Sequence, residues 1–187
     1  MLMPQKLVPL AAALCVTLGA ASAQATTQVV TFNQLNTSTT LSVPFLAGDV
    51  LRLNTYVTQV GSLLQTITFT LGAGVGSLSG QGSWEIDTAT GTGPRLVGVN
   101  LDVFDVSNAL VVSDSNIITG NGFATSSFAT TALGPGTYRL VATGTAVRDA
   151  SLDVTLRFAT VVPEPGTYAL MMAGLGAVLL LARRRTR

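Results

Sequence analysis

The sequence predicts an all-β fold, an antiparallel β-sandwich set between two apolar terminal segments. Three observations predict it. Several stretches alternate between apolar and polar residues, glycine-centred turn signals separate them, and no segment between Gln24 and Thr160 holds a helical period. Period-two alternation places apolar side chains on one face of a strand. Many short strands punctuated by turns favour a sandwich over a parallel sheet. No repeat of fixed period interrupts this pattern.

In chain order, the first element is a targeting segment. Lys6 supplies a positive start, Leu7 to Ala20 is almost wholly apolar, and Ala21-Ser22-Ala23 is a small-x-small cleavage site before Gln24. This is the pattern of a secretory signal peptide over residues 1–23, with Ala21 and Ala23 as the cleavage residues. Cys15 lies inside it, and Ala12 stands where a lipoprotein signal carries leucine.

The exported domain then spans residues 24–161. Val29 to Leu35 is predicted as an edge strand and Val50 to Leu53 as a strand after the Ala47-Gly48-Asp49 turn. In Gln65 to Leu71, Ile67, Phe69 and Leu71 share one face and three threonines share the other. Gly72 to Gly76 and Gly80-Gln81-Gly82 are read as one flexible stretch, and Gly91 to Pro94 as a loop. Leu96 to Phe104 and Ala109 to Val112 are further strands, and Gly120-Asn121-Gly122 and Gly134-Pro135-Gly136 are tight turns. Tyr138, Leu140 and Ala142 repeat the alternation, as do Leu152, Val154, Leu156 and Phe158. The expected core comprises Leu51, Leu53, Ile67, Phe69, Leu101, Val103, Tyr138, Leu140 and these four residues of the last strand.

Composition bounds the chemistry. The chain carries a net charge of +1, but the basic excess sits in its tail. Between residues 24 and 162, five arginines against eight carboxylates give −3, and there is no Lys, His, Cys or Met. Such a domain has no electrostatic footprint for nucleic acid. A hydrolytic triad lacks its histidine base, and a zinc site lacks His and Cys ligands. No cofactor is expected. The remaining metal candidate is a Ca²⁺ site using Asp102, Asp105 and Asp114 with Asn100 or Asn116, since calcium takes oxygen ligands; Asp102 and Asp105 lie at opposite parity, a short hairpin could bring Asp114 near, and solvated, turn-forming aspartates are the plain alternative. The remaining enzymatic candidate is a glycosidase-type pair, Glu85 and Asp87, beside Trp84 as a sugar platform. A solvated strand face beside a core tryptophan is the plain alternative there.

The last stretch has three parts. Val162-Pro163-Glu164-Pro165 cannot continue a strand or helix, because each proline lacks an N–H and restricts its neighbour. Tyr168 to Ala182 is an uncharged run of 15 residues, short against the roughly 20 of a full span. Arg183, Arg184 and Arg185 form a basic stop, the charge retained on the cytoplasmic side of a membrane. Break, apolar helix and basic stop together predict a C-terminal transmembrane helix that holds the chain to membrane lipid, continued from Gly166 and finished by snorkelling arginines; a hydrophobic helix buried in a soluble domain is the plain alternative. Residues 162–187 closely resemble the PEP-CTERM sorting signal of Gram-negative bacterial surface proteins. The resemblance implies recognition by an exosortase-type membrane transpeptidase, processing near Pro163-Glu164-Pro165, and delivery to the cell surface or extracellular matrix.

Two weaker resemblances concern the exported domain. Val43 to Leu53, Leu101 to Asp105 with Leu110 to Asp114, Leu133 to Ala142, and Ser151 to Phe158 resemble strands of the bacterial pre-peptidase C-terminal domain. The Thr68-Phe69-Thr70-Leu71 and Gly136-Thr137-Tyr138 strands also resemble those of FxDxF-type proteins that carry the same sorting signal, although the FxDxF motif is absent. Both imply a jelly-roll-like sandwich with a binding or accessory role. The sequence reading is therefore an exported, non-catalytic surface or matrix protein associated with exopolysaccharide or biofilm. A carbohydrate-binding domain using Trp84 and Tyr56 is the first alternative, and a glycan hydrolase using Glu85 and Asp87 the second.

Overall fold

The structure, a computed structural model, describes residues 24–86, 93–131, 133–160 and 171–176, with the side chain of Asn116 excepted. Among the described residues, eleven strands form two sheets: β1 (Thr27–Phe32), β2 (Asn36–Thr40), β3 (Val50–Val57), β4 (Gly61–Leu71), β5 (Ser77–Glu85), β6 (Leu96–Asp105), β7 (Leu110–Ser113), β8 (Ser115–Gly120), β9 (Phe123–Thr130), β10 (Gly136–Ala146) and β11 (Ala150–Ala159). The order is β1-β3-β11-β5-β9-β8 in the six-stranded sheet and β2-β4-β10-β6-β7 in the five-stranded one. The fold is all-β, as the alternation predicts. It departs from an antiparallel sandwich at one side, where β1 runs parallel to β3 and β2 parallel to β4. The amino-terminal arm adds one edge strand to each sheet, and a single chain reversing across the sandwich edge meets both neighbours in parallel.

The core lies between the sheets. Leu51 and Leu53 of β3, and Leu152, Val154, Leu156 and Phe158 of β11, are at most 2% exposed, and Ile67, Phe69, Leu101, Val103 and Leu140 face them from the other sheet. Each such side chain contributes about 1.5–3 kcal/mol on burial. Tyr138, expected in the core, is half-buried. Its ring stacks on Phe69 with centroids 6.2 Å apart, while its hydroxyl donates to the Gly134 carbonyl at 3.0 Å and pins the turn before β10. Phe45 lies outside the named strands and is fully buried, packed on Phe69 and Phe158 with centroids at 6.0 and 4.8 Å.

Two features of the interior were not anticipated. Gly80-Gln81-Gly82 is not a flexible stretch but the middle of β5, with Gly80 and Gly82 buried. A Cβ on Gly80 would sit 2.1 Å from Cζ of Phe128, and one on Gly82 would sit 2.4 Å from Cδ1 of Leu101. Glycine is required because a neighbour's side chain occupies the space. The second feature is a polar link across the core. The Thr55 hydroxyl of β3 donates to Oε1 of Gln65 on β4 at 2.6 Å, and Nε2 of Gln65 donates to the Gln34 carbonyl at 2.9 Å. Both side chains are buried, and both ends of the amide are satisfied.

The turns predicted at Gly120-Asn121-Gly122 and Ala47-Gly48-Asp49 are present, while Gly91 lies outside the described residues and Gly134-Pro135-Gly136 is a bend that leads into β10. Asn121 and Gly122 take φ of 51° and 81° in the β8–β9 hairpin, the paired positive values that such two-residue turns require. Asp49 closes the turn before β3. Its carboxylate accepts from the Leu46 N–H at 2.7 Å, the Thr26 N–H at 2.7 Å and the Thr26 hydroxyl at 2.9 Å. Burial pushes this carboxyl up, and the three donors outweigh it, leaving the group below the ordinary carboxylate range.

Candidate functional site

The sorting stretch is covered only in part. Val162, Pro163, Glu164, Pro165, Arg183, Arg184 and Arg185 lie outside the described residues, as do Ala21 and Ala23. Residues 171–176 are helical and largely exposed, with Met171, Met172 and Leu175 each more than half accessible. Among the described residues no helix is long and apolar enough to cross a membrane. The strand before this stretch, β11, ends at Ala159, and it is held between β3 and β5 through most of its length. The sandwich is therefore complete before the Pro-Glu-Pro segment begins.

The three aspartates proposed for calcium are not brought together. Asp105 caps the β6–β7 turn, accepting from the Ser107 hydroxyl at 2.7 Å and from the Ser107 and Ala109 N–H groups at 2.8 and 2.9 Å. The Ser107 hydroxyl first, and the Ala109 N–H after it, hold its carboxyl below the ordinary value. Asp102 accepts from Nδ2 of Asn100 at 2.5 Å, and Asp114 accepts the Leu101 N–H at 3.0 Å. Asp102 and Asp105 sit at opposite parity on β6, which points them to different faces. Among the described residues no group of three acidic, His or Cys side chains converges as a metal site.

The sugar-platform tryptophan is also displaced from its expected role. Trp84 is 3% exposed and belongs to the core. The alternation that put Glu85 outward on β5 necessarily put Trp84 inward. Glu85 faces Arg95, with Oε2 at 3.7 Å from Nε, and Arg95 is drawn closer to Asp149, with Nη1 at 2.6 Å from Oδ2. Asp87 lies outside the described residues. Tyr56, by contrast, is 53% exposed on the outer face of β3. It lines a shallow groove of about 590 Å³ with Arg52, Asn54, Asp153 and Thr155. A second groove of about 600 Å³ adjoins it across β11, lined by Gln81, Ser127, Thr155 and Arg157 among others. Sequence reasoning marked Tyr56 but not the arginines beside it, which alternation alone would have placed outward.

Comparison with known proteins concerns the carboxyl end. No curated protein matches the chain. The family model of the PEP-CTERM protein-sorting motif matches residues 161–185. That span contains the Pro-Glu-Pro break, the apolar run and the three arginines, in the order their physical roles require. The chain thus carries a PEP-CTERM sorting motif directly after a finished β-structure, which supports an exported protein processed by an exosortase-type membrane enzyme.

Proposed function

We propose that the β-structure is a non-catalytic cargo domain, exported behind a signal peptide at residues 1–23. It is anchored transiently through the apolar run and delivered to the cell surface or extracellular matrix of a Gram-negative bacterium, in association with exopolysaccharide. The observation that carries this reading is the junction: β11 ends at Ala159 and the sorting motif begins at residue 161. Processing near Pro163-Glu164-Pro165 would then leave every strand in place. A proline disfavours helical geometry in the residue before it, which would leave such a site open to an enzyme's backbone contacts. A helix with its arginines inside and Glu164 outside agrees with export of the domain.

In a host with an exosortase, the Pro163→Ala/Pro165→Ala variant is expected to stay anchored and unprocessed. A chain ending at Val161 is expected to accumulate as a folded periplasmic domain that does not reach the surface. Normal processing and surface delivery of the double-proline variant would overturn the recognition role. A second reading, carbohydrate binding, is favoured by the exposed ring of Tyr56 over a groove of polar side chains. Catalysis by Glu85 has less support, since the carboxylate is directed at Arg95 rather than at a cleft.

A further inference from the structure

We propose that the outer face of the six-stranded sheet binds a polysaccharide bearing spaced carboxylates. Arg52 and Arg157 would hold the acidic groups, and Tyr56 would stack on a sugar ring. The strand register brings these residues together. Thr155 of β11 lies opposite Arg52 of β3 and opposite Gln81 of β5, and Gln81 lies opposite Ser127 of β9. Arg52, Thr155, Gln81 and Ser127 therefore form one polar row crossing four strands at about 4.8 Å per step. Arg157 stands two residues beyond Thr155, which makes it the diagonal neighbour of Arg52, about 7–8 Å away between backbones. The two grooves meet at Thr155.

Charge selects the ligand. Both arginines are exposed, and among the described residues neither forms an ion pair or a side-chain hydrogen bond. Other arginines of the domain are engaged: Arg95 with Asp149, and Arg139 with Asn108 and the Phe104 ring. A guanidinium presents a planar fork that matches a carboxylate. Asp153 lies beside the pair on β11, and the exported domain carries −3 overall with no lysine. A densely charged polyanion such as nucleic acid would meet too few cations and a repelling background. A hydroxyl-rich chain with separated carboxylates meets two forks, an aromatic ring and a row of hydroxyl and amide groups.

This assignment deepens the surface-protein reading and rests on it for its biological setting, but its test is independent of sorting. The full-length chain, purified in detergent, is passed over immobilised polygalacturonate and over immobilised dextran at low ionic strength. Retention on the acidic polymer alone is expected, falling as salt is raised. The Arg52→Gln/Arg157→Gln variant is expected to bind at least about tenfold more weakly, from the loss of two charge-assisted contacts. Tyr56→Ala should lose less, and Arg139→Gln, which removes the same charge from the other sheet, should bind as wild type. Circular dichroism of each variant establishes that it is folded. Absent wild-type retention, equal retention on dextran, or unchanged binding by the double arginine variant would overturn the assignment. If it falls while the double-proline variant still blocks surface delivery, the sorting reading stands alone.

Discussion

Strands β4 and β5 both bury one face against the same core, yet they do so in opposite ways. On β4 the buried positions carry their own bulk, with Leu63, Ile67, Phe69 and Leu71 all at most 2% exposed. On β5 two of the buried positions are Gly80 and Gly82, and the volume above them belongs to Phe128 of β9 and Leu101 of β6. A strand can thus occupy the core either by filling space or by yielding it. The first leaves a period-two signature in its own sequence. The second moves that signature into neighbours that lie far along the chain.

Substitution separates the two modes. The largest effect is expected on β4: Phe69→Ala removes a ring that touches Phe45, Phe158 and Tyr138 and should cost about 3–5 kcal/mol in denaturant unfolding. On β5 the damage should come from addition instead. Gly80→Ala places a methyl inside the Phe128 ring position and should cost about 1–3 kcal/mol. The comparison is sharpened by a double-mutant cycle. Gly80→Ala combined with Phe128→Leu should cost less than the two single changes summed, because the smaller side chain vacates the space. Strict additivity would mean that Gly80 is retained for some other reason.

Strand β1 is held in a third way, through Asp49, and its signature is pH. The carboxyl lies below its ordinary range in the folded chain, so its stabilisation is fully present above the unfolded value near 3.9 and is lost as pH falls through the folded value. Asp49→Asn should therefore cost about 1–2 kcal/mol near neutrality, from donors left poorly matched, and progressively less in acid. Denaturant midpoints measured from about pH 7 down to pH 3 would show the difference narrowing below about pH 4. The smallest effect belongs to the outer face of β4, where Thr68→Ala should change stability by less than about 0.5 kcal/mol.

The same contrast explains what the sequence made legible. Strands with their own apolar rows, β3, β4, β6, β10 and β11, are readable from alternation, and the expected core is buried except for the half-exposed Tyr138. Four strands escape that reading. On β5 the apolar row is broken by Gly80 and Gly82 between Leu78 and Trp84, and on β9 Phe128 shares the buried face with the small Ala124 and Ser126. β2 is a run of Asn, Thr and Ser, held by pairing with β4, and β8 sets Ile117 and Ile118 outward on an edge. The sorting motif was legible because its three parts are contiguous and each obeys a local rule. The paired arginines of the outer face were not, because Arg52 and Arg157 are 105 positions apart and only the β3–β11 register joins them. The calcium grouping failed for the reverse reason: proximity in sequence did not overcome strand parity.

The two late strands, β10 in one sheet and β11 in the other, have a consequence for export. β10 is the central strand of one sheet, between β4 and β6, and β11 is an interior strand of the other, between β3 and β5. Neither β3 with β5 nor β4 with β6 pairs directly, so each sheet stays divided until its late strand arrives. During vectorial passage across a membrane, the earlier strands emerge without the partners that join them. Long-range pairing of this kind is slow and pays its loop-closure entropy late. Partial sheets such as β1-β3 and β5-β9-β8 can pair earlier, but neither sheet can close until residues 136–159 are available. The sorting motif begins at residue 161, so completion of the fold is expected to coincide with arrival of the processing site at the membrane.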